Sequence, residues 1–180
     1  MSFRRVVTGK NAAGKSVVVS DGASPREMAL KHTPGFVSAP MWTIAGTPSL
    51  PANGKDPMSV PGSSLLPGPG GSSFMVVTFP PDNVMMSPDF DPAKAGPEHL
   101  AAAPGIAETF EMDNPGMHTT PTVDYACIID GEIVLELDDG VTVQLKKGDT
   151  VVQQGARHAW RNPSSKSATL IFVLLGAASK

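Results

Sequence analysis

Hydrophobic and polar positions alternate most regularly in the last third of the chain. Ile133, Leu135 and Leu137 alternate with Glu132 and Glu136, and Val141, Val143 and Leu145 alternate with Thr142, Gln144 and Lys146. A period of two predicts strands with one face against a core. Val123–Ile129 and Val151–Val152 read as further strands, and Ala168–Leu175 as a fully apolar closing strand. Asp130-Gly131, Asp138-Asp139-Gly140 and Lys147-Gly148-Asp149 punctuate them as turns. Earlier, Arg4–Thr8 and Ser16–Ser20 predict a hairpin, Gly35–Ile44 and Ser73–Phe79 predict strands, and Pro80-Pro81 ends the second. Pro25–Leu30 predicts a helical turn, and Pro97–Ala103 a short helix with Pro at its first turn. Thr47–Ser73, crowded with Pro, Gly and Ser, predicts a long irregular segment that needs a surface to lie on. Short strands with regular turns indicate an all-β sandwich or barrel.

Composition narrows the function classes. The 180 residues are 41% hydrophobic and 17% charged, which is globular and sufficient for one sizeable core. Lys and Arg number 14 against 17 Asp and Glu, so nothing in the charge calls for nucleic acid. The longest apolar run is well short of the ~20 residues of a membrane span, and the N-terminus lacks a signal-like apolar region. A soluble, cytoplasmic protein is expected. Cys127 is the single cysteine, excludes an internal disulfide, and is expected to be buried and inert. His32 and His99 are expected as surface or packing histidines. Met85 and Met86 are expected as core filler, and Glu132 and Glu136 as a solvated face.

Gly9–Ser16 reads G-x-x-x-x-G-K-S, the pattern of a phosphate-binding loop. Such a loop needs a helix N-terminus after it. Here Val17-Val18-Val19 follows, bounded by Asp21-Gly22, which is a strand. The expectation is a hairpin tip, not a nucleotide site.

The residues that carry chemistry cluster between Gly116 and Asn162: His118, Thr120, Asp124 and Gly131, then Gly148, Gln153, Gly155, His158, Trp160 and Asn162. This stretch resembles the cupin superfamily, whose motifs read G-x5-H-x-H-x3,4-E-x6-G and G-x5-P-x-G-x2-H-x3-N. His118 falls on the first histidine, Thr120 on the second, Asp124 on the glutamate, and Gly131 closes the first motif. Gly148 opens the second motif. Gln153 replaces its proline with the spacing one residue short, and Gly155, His158 and Asn162 match. The resemblance covers about the C-terminal third. It implies a double-stranded β-helix (jelly-roll) barrel with its core at 106–180 and residues 1–105 as an extension packed on it. It also implies a homodimer and a small-molecule pocket.

In family members with the full motif, three histidines and a glutamate hold Fe, Mn, Ni, Cu or Zn. The resemblance therefore implies His118, Asp124 and His158 as metal or catalytic residues, with Thr120, Gln153 and Trp160 lining the substrate. On one straight strand His118 and Asp124 would lie about 20 Å apart at about 3.3 Å per residue. The chain must reverse near Pro121 for them to share an ion. Trp160, two residues beyond His158, is expected on its face as an aromatic wall. Three uses stay open. The site is a metal-dependent oxygenase or oxidoreductase, a metal-free dehydratase, isomerase or cyclase using His and Asp as base and acid, or a non-catalytic binding pocket.

Overall fold

The structure, a computed structural model, describes residues 2–50, 52–88 and 90–178. Among the described residues there are eleven strands, one α-helix and four short 3-10 turns. Strands β1 (Arg4–Lys10) and β2 (Ser16–Ala23) form a separate hairpin. The Gly9–Ser16 stretch is therefore at the tip of that hairpin, as the three valines that follow it predict. The remaining strands are β3 (Met28–Ala29), β4 (Val37–Ile44), β5 (Ser72–Phe79), β6 (Thr122–Asp130), β7 (Glu132–Glu136), β8 (Thr142–Lys146), β9 (Thr150–Gln154), β10 (Ala159–Arg161) and β11 (Ala168–Gly176). One sheet runs β3-β4-β5-β11-β6-β9 and the other β10-β7-β8, with all pairs antiparallel.

Alternation decides which side chains face inward. In β6, Thr122, Asp124, Ala126 and Ile128 are buried, while Tyr125 stands exposed between them. In β11 the buried set is Ala168, Leu170, Phe172 and Leu174. The second sheet contributes Ile133, Leu135 and Leu145, and the N-terminal half contributes Leu65, Met75 and Val77 to the same core. The result is an all-β sandwich, as the strand pattern predicts, in the jelly-roll form that the family resemblance implies. β4 and β5 are integral to the larger sheet, β5 pairing with β11 along its full length.

Several local expectations are corrected. Pro25-Arg26 form a turn followed by strand β3 rather than a helical turn. Helix α1 spans Pro92–Ala102, starting five residues before the expected Pro97. Asp91 caps it by accepting from the Ala93 N–H (3.0 Å), and Pro92 occupies the first turn, where a missing N–H costs nothing. Met85 and Met86 are exposed rather than core, because they follow a short 3-10 turn at Asp82–Val84 that lies outside both sheets. Cys127 is only half-buried, on the outer face of β6. Glu136 is not freely solvated: it accepts from Arg161 Nε at 2.6 Å. Among the described residues no helix is long and apolar enough to cross a membrane.

The described part of the irregular 47–71 segment is held by buried anchors, Met58 and Leu65, and by backbone bonds to the end of β11 and to Pro104. Asn162 has a similar stapling role after β10. It is 1% exposed, donates from Nδ2 to the carbonyls of Phe79 (3.1 Å) and Lys166 (2.8 Å), and accepts at Oδ1 from the Ser164 hydroxyl (2.7 Å). Replacing it with alanine strands two carbonyls. Asn162→Ala is expected to lower unfolding stability by about 2 kcal/mol in urea titration.

Candidate active site at one end of the barrel

His118 and His158 meet across an antiparallel bridge. The N–H of each donates to the carbonyl of the other at 2.9 Å, and the two rings lie 4.3 Å apart between centroids. His118 is 9% and His158 3% exposed. Each Nδ1 lies against a carbonyl two residues upstream, Gly116 at 3.0 Å and Ala156 at 2.8 Å. Nδ1 of a neutral imidazole so placed carries the proton and donates, which leaves Nε2 as a bare lone pair on each ring.

Burial holds both rings neutral. Desolvation lowers the His118 pKa. It also lowers that of His158, with His118 as a second cause, to about 4. The surroundings are aromatic: Phe110 packs on His118 (4.8 Å), Trp160 edge-on against His158 (6.1 Å), and Phe172 on Trp160 (5.5 Å).

Along the inner face of β6 the polar set continues. Thr120 and Thr122, both buried, share a hydroxyl hydrogen bond of 2.7 Å. Asp124 is 6% exposed and its Oδ1 has no partner. Desolvation pushes its carboxyl upward, against a smaller opposite effect of the Thr122 hydroxyl. Directly across on β9 stands Gln153, 5% exposed, with neither amide atom partnered.

The expected three-ligand set of His118, Asp124 and His158 is not assembled. Among the described residues no group of three or more His, Cys, Asp or Glu side chains lies close enough to hold one metal ion. The histidines are drawn together by their mutual bridge outside the large sheet. Asp124 is committed to β6, in register with Gln153 and Leu174. Two nitrogen ligands fall short of the three or four that protein metal centres supply. The donor set present therefore does not fit the divalent ion that the motif resemblance implies.

Other residues of this region carry no signal in the motifs. Arg157 clamps Glu111 through two contacts of 2.6 Å and also binds Asp138 at 2.7 Å. Arg161 binds the Pro115 carbonyl (2.6 Å) and Asn114 (3.1 Å) besides Glu136. These two arginines flank His158 in sequence and tie the 111–115 loop beside His118. The charge pattern around His158 was the available clue. His99 and His32 stay outside the cluster: His99 bonds Thr33 Oγ1 at 3.0 Å and packs on Phe36. Two surface hollows also lie elsewhere. One of about 480 Å³ is bounded by Lys146, Lys147 and Lys166, and one of about 340 Å³ lies on the outer face of β6, β9 and β11.

Residues 111–174, which contain this whole histidine cluster, match the family model described as Cupin domain. This stretch belongs to the cupin superfamily. The chain is 47% identical over 62 residues to Phomopsin biosynthesis cluster protein D of Diaporthe leptostromiformis, covering 34% of this chain and 33% of that protein. It is 39% identical over 46 residues to the Cupin-domain-containing oxidoreductase virC of Hypocrea virens, covering 26% of this chain and 24% of that protein. The cupin match thus spans about a third or less of these relatives' own length. Among solved structures, a Cupin 2 conserved barrel domain protein from Salinispora arenicola CNS-205 overlays 83% of this chain and 87% of its own. Its TM-score is 0.41 and its identity 14%. The cupin match begins at Glu111, so Ser73 and the rest of β5 lie outside it.

Proposed function

We propose that the cupin domain catalyses a metal-free proton-transfer reaction on a small organic metabolite: loss of water, isomerisation or ring closure. The observation that carries this reading is the buried pair of neutral imidazoles with both Nδ1 protons tied to carbonyls and both Nε2 lone pairs free. Such a nitrogen, held unprotonated at neutral pH, is a general base. The pair accepts one proton at a time, because a charge on either ring opposes a charge on the other. Asp124 on the inner face of β6, whose burial favours the protonated carboxyl, is the acid in this reading. Titratable groups driven apart in this way mark acid and base roles. In this reading Thr120, Gln153 and Trp160 orient the substrate. The likeness to biosynthesis cluster proteins supports a substrate made in such a cluster.

A second reading has one observation in its favour, the oxidoreductase name of a relative. It requires a redox cofactor, and the two are separated by one experiment. Protein purified without chelator is assayed against hydroxy- and keto-metabolites with and without EDTA, with oxygen uptake followed. The acid–base reading expects turnover indifferent to EDTA, no oxygen uptake, and a rate that falls on the acid side as the imidazole pair takes up a proton. Stoichiometric metal with EDTA-sensitive turnover overturns it.

A further inference from the structure

Three buried side chains with unpartnered polar atoms stand in one row across the large sheet. Register places Ser73 on β5 opposite Leu174 on β11, Leu174 opposite Asp124 on β6, and Asp124 opposite Gln153 on β9. Residues directly opposite in antiparallel strands point to the same face. That face is the barrel interior, since Leu174 belongs to the core. Ser73 is 0%, Asp124 6% and Gln153 5% exposed. Ser73 Oγ, Asp124 Oδ1 and both amide atoms of Gln153 lack any partner. A buried polar group without a partner costs about 1–3 kcal/mol, and folded proteins satisfy most of them. Of the five unpartnered buried side-chain atoms among the described residues, four lie in this single row, and the fifth is Arg5 Nε.

We propose that this row is a docking site for a planar substrate group that carries a hydrogen-bond donor and acceptor side by side, that is, a carboxamide or a lactam. The inference rests on the barrel end being the reacting site. Gln153 presents an N–H donor and a carbonyl acceptor in one plane, and a group with the same pair in reverse order meets it with two parallel hydrogen bonds. Asp124, about 5 Å along the row, takes the outward edge of that group. Leu174 then passes an apolar section, and Ser73 receives a second polar atom about two strand spacings, or 10 Å, from Asp124. A group with an acceptor alone leaves the Gln153 carbonyl unpaired and is discriminated against for that reason.

Full-length protein is titrated with benzamide and 2-pyridone, and with acetophenone as an acceptor-only control of similar size. Affinity is read by calorimetry and by thermal shift. The first two are expected to bind, and acetophenone about tenfold more weakly or not at all. Gln153→Met, close in shape but apolar, is expected to weaken benzamide about tenfold while melting higher than the parent, because it removes two orphaned atoms. Acetophenone binding as tightly as benzamide, or unchanged benzamide affinity in Gln153→Met, overturns the proposal. If that variant does not fold, the side-chain amide resonances of Gln153 in the parent protein decide: they shift with benzamide if the row docks it and stay fixed if it does not. Probe binding involves no turnover, so this result stands or falls separately from the pH–rate and chelator experiment.

Discussion

Gly176→Ala should lower the unfolding free energy by about 4 kcal/mol and the melting temperature by roughly 10 °C. Gly176 ends β11, where the 67–71 strap crosses it. A Cβ there would sit 1.9 Å from the Gly68 carbonyl oxygen, 2.5 Å from its carbon and 2.8 Å from the Pro67 oxygen. All three contacts are backbone, so no side chain can turn aside. The strap cannot retreat freely, because Gly70 donates to the Gly176 carbonyl and Gly176 to the Gly71 carbonyl, both at 3.0 Å. On its other side Gly71 is wedged against the Ile44 carbonyl, 2.5 Å from where a Cβ would stand. Overpacking and two broken hydrogen bonds therefore add together. Gly46→Ala is the control: it has nothing within 4 Å, and it should move stability by less than about 0.5 kcal/mol. Equal melting of the two variants in a thermal scan would show that the strap does not lie on β11.

The second large effect is loss of stability in acid through the histidine pair. His158 sits at about 4 in the folded chain, against about 6.5 when unfolded. Between these values the unfolded state binds more protons, so unfolding becomes easier as pH falls from about 6.5 to 4 and levels off below. The shift corresponds to about 3 kcal/mol over that window. His118 and His99, also lowered by burial, act in the same direction. Asp124 acts in the opposite one: its raised folded carboxyl takes up a proton before the unfolded chain does. Denaturant titrations from pH 7.5 to 4 should therefore show a markedly shallower decline in His158→Asn than in the parent, and a steeper one in Asp124→Asn. Parallel curves for parent and His158→Asn would remove the case that His158 is held neutral by the fold.

Much of the C-terminal architecture is legible in the amino acids because it is local. Period-two alternation sets the faces of β6, β7 and β11, and Asp-Gly pairs set the turns. At Asp139 and Gly140 the backbone is left-handed (φ 57° and 71°), as a tight hairpin requires. His118 and His158 were legible through motif spacing, and the neighbouring Trp160 through its two-residue offset. Long-range register was not. Nothing near Ser73 announces that β5 lies beside β11, almost a hundred positions later, and so places its hydroxyl in line with Asp124 and Gln153. Motif spacing also did not show that His118, Asp124 and His158 form no three-ligand group among the described residues, since spacing fixes separation along the chain and pairing fixes it in space. The start of α1 at Pro92 was readable from Asp91-Pro92, which offers a cap and a first-turn proline. The later Pro97 drew the boundary instead.

The edge-on contact between Trp160 and His158 gives the barrel end an intrinsic optical reporter. The other indole, Trp42, is remote in the fold and stacks beneath the Arg5 guanidinium at 5.9 Å. Emission from Trp160 alone should therefore dim when the neighbouring imidazole gains a proton and change again when a ligand displaces solvent beside it. Trp42→Phe would isolate that signal, so that occupancy of the interior could be followed by fluorescence before any product has been identified.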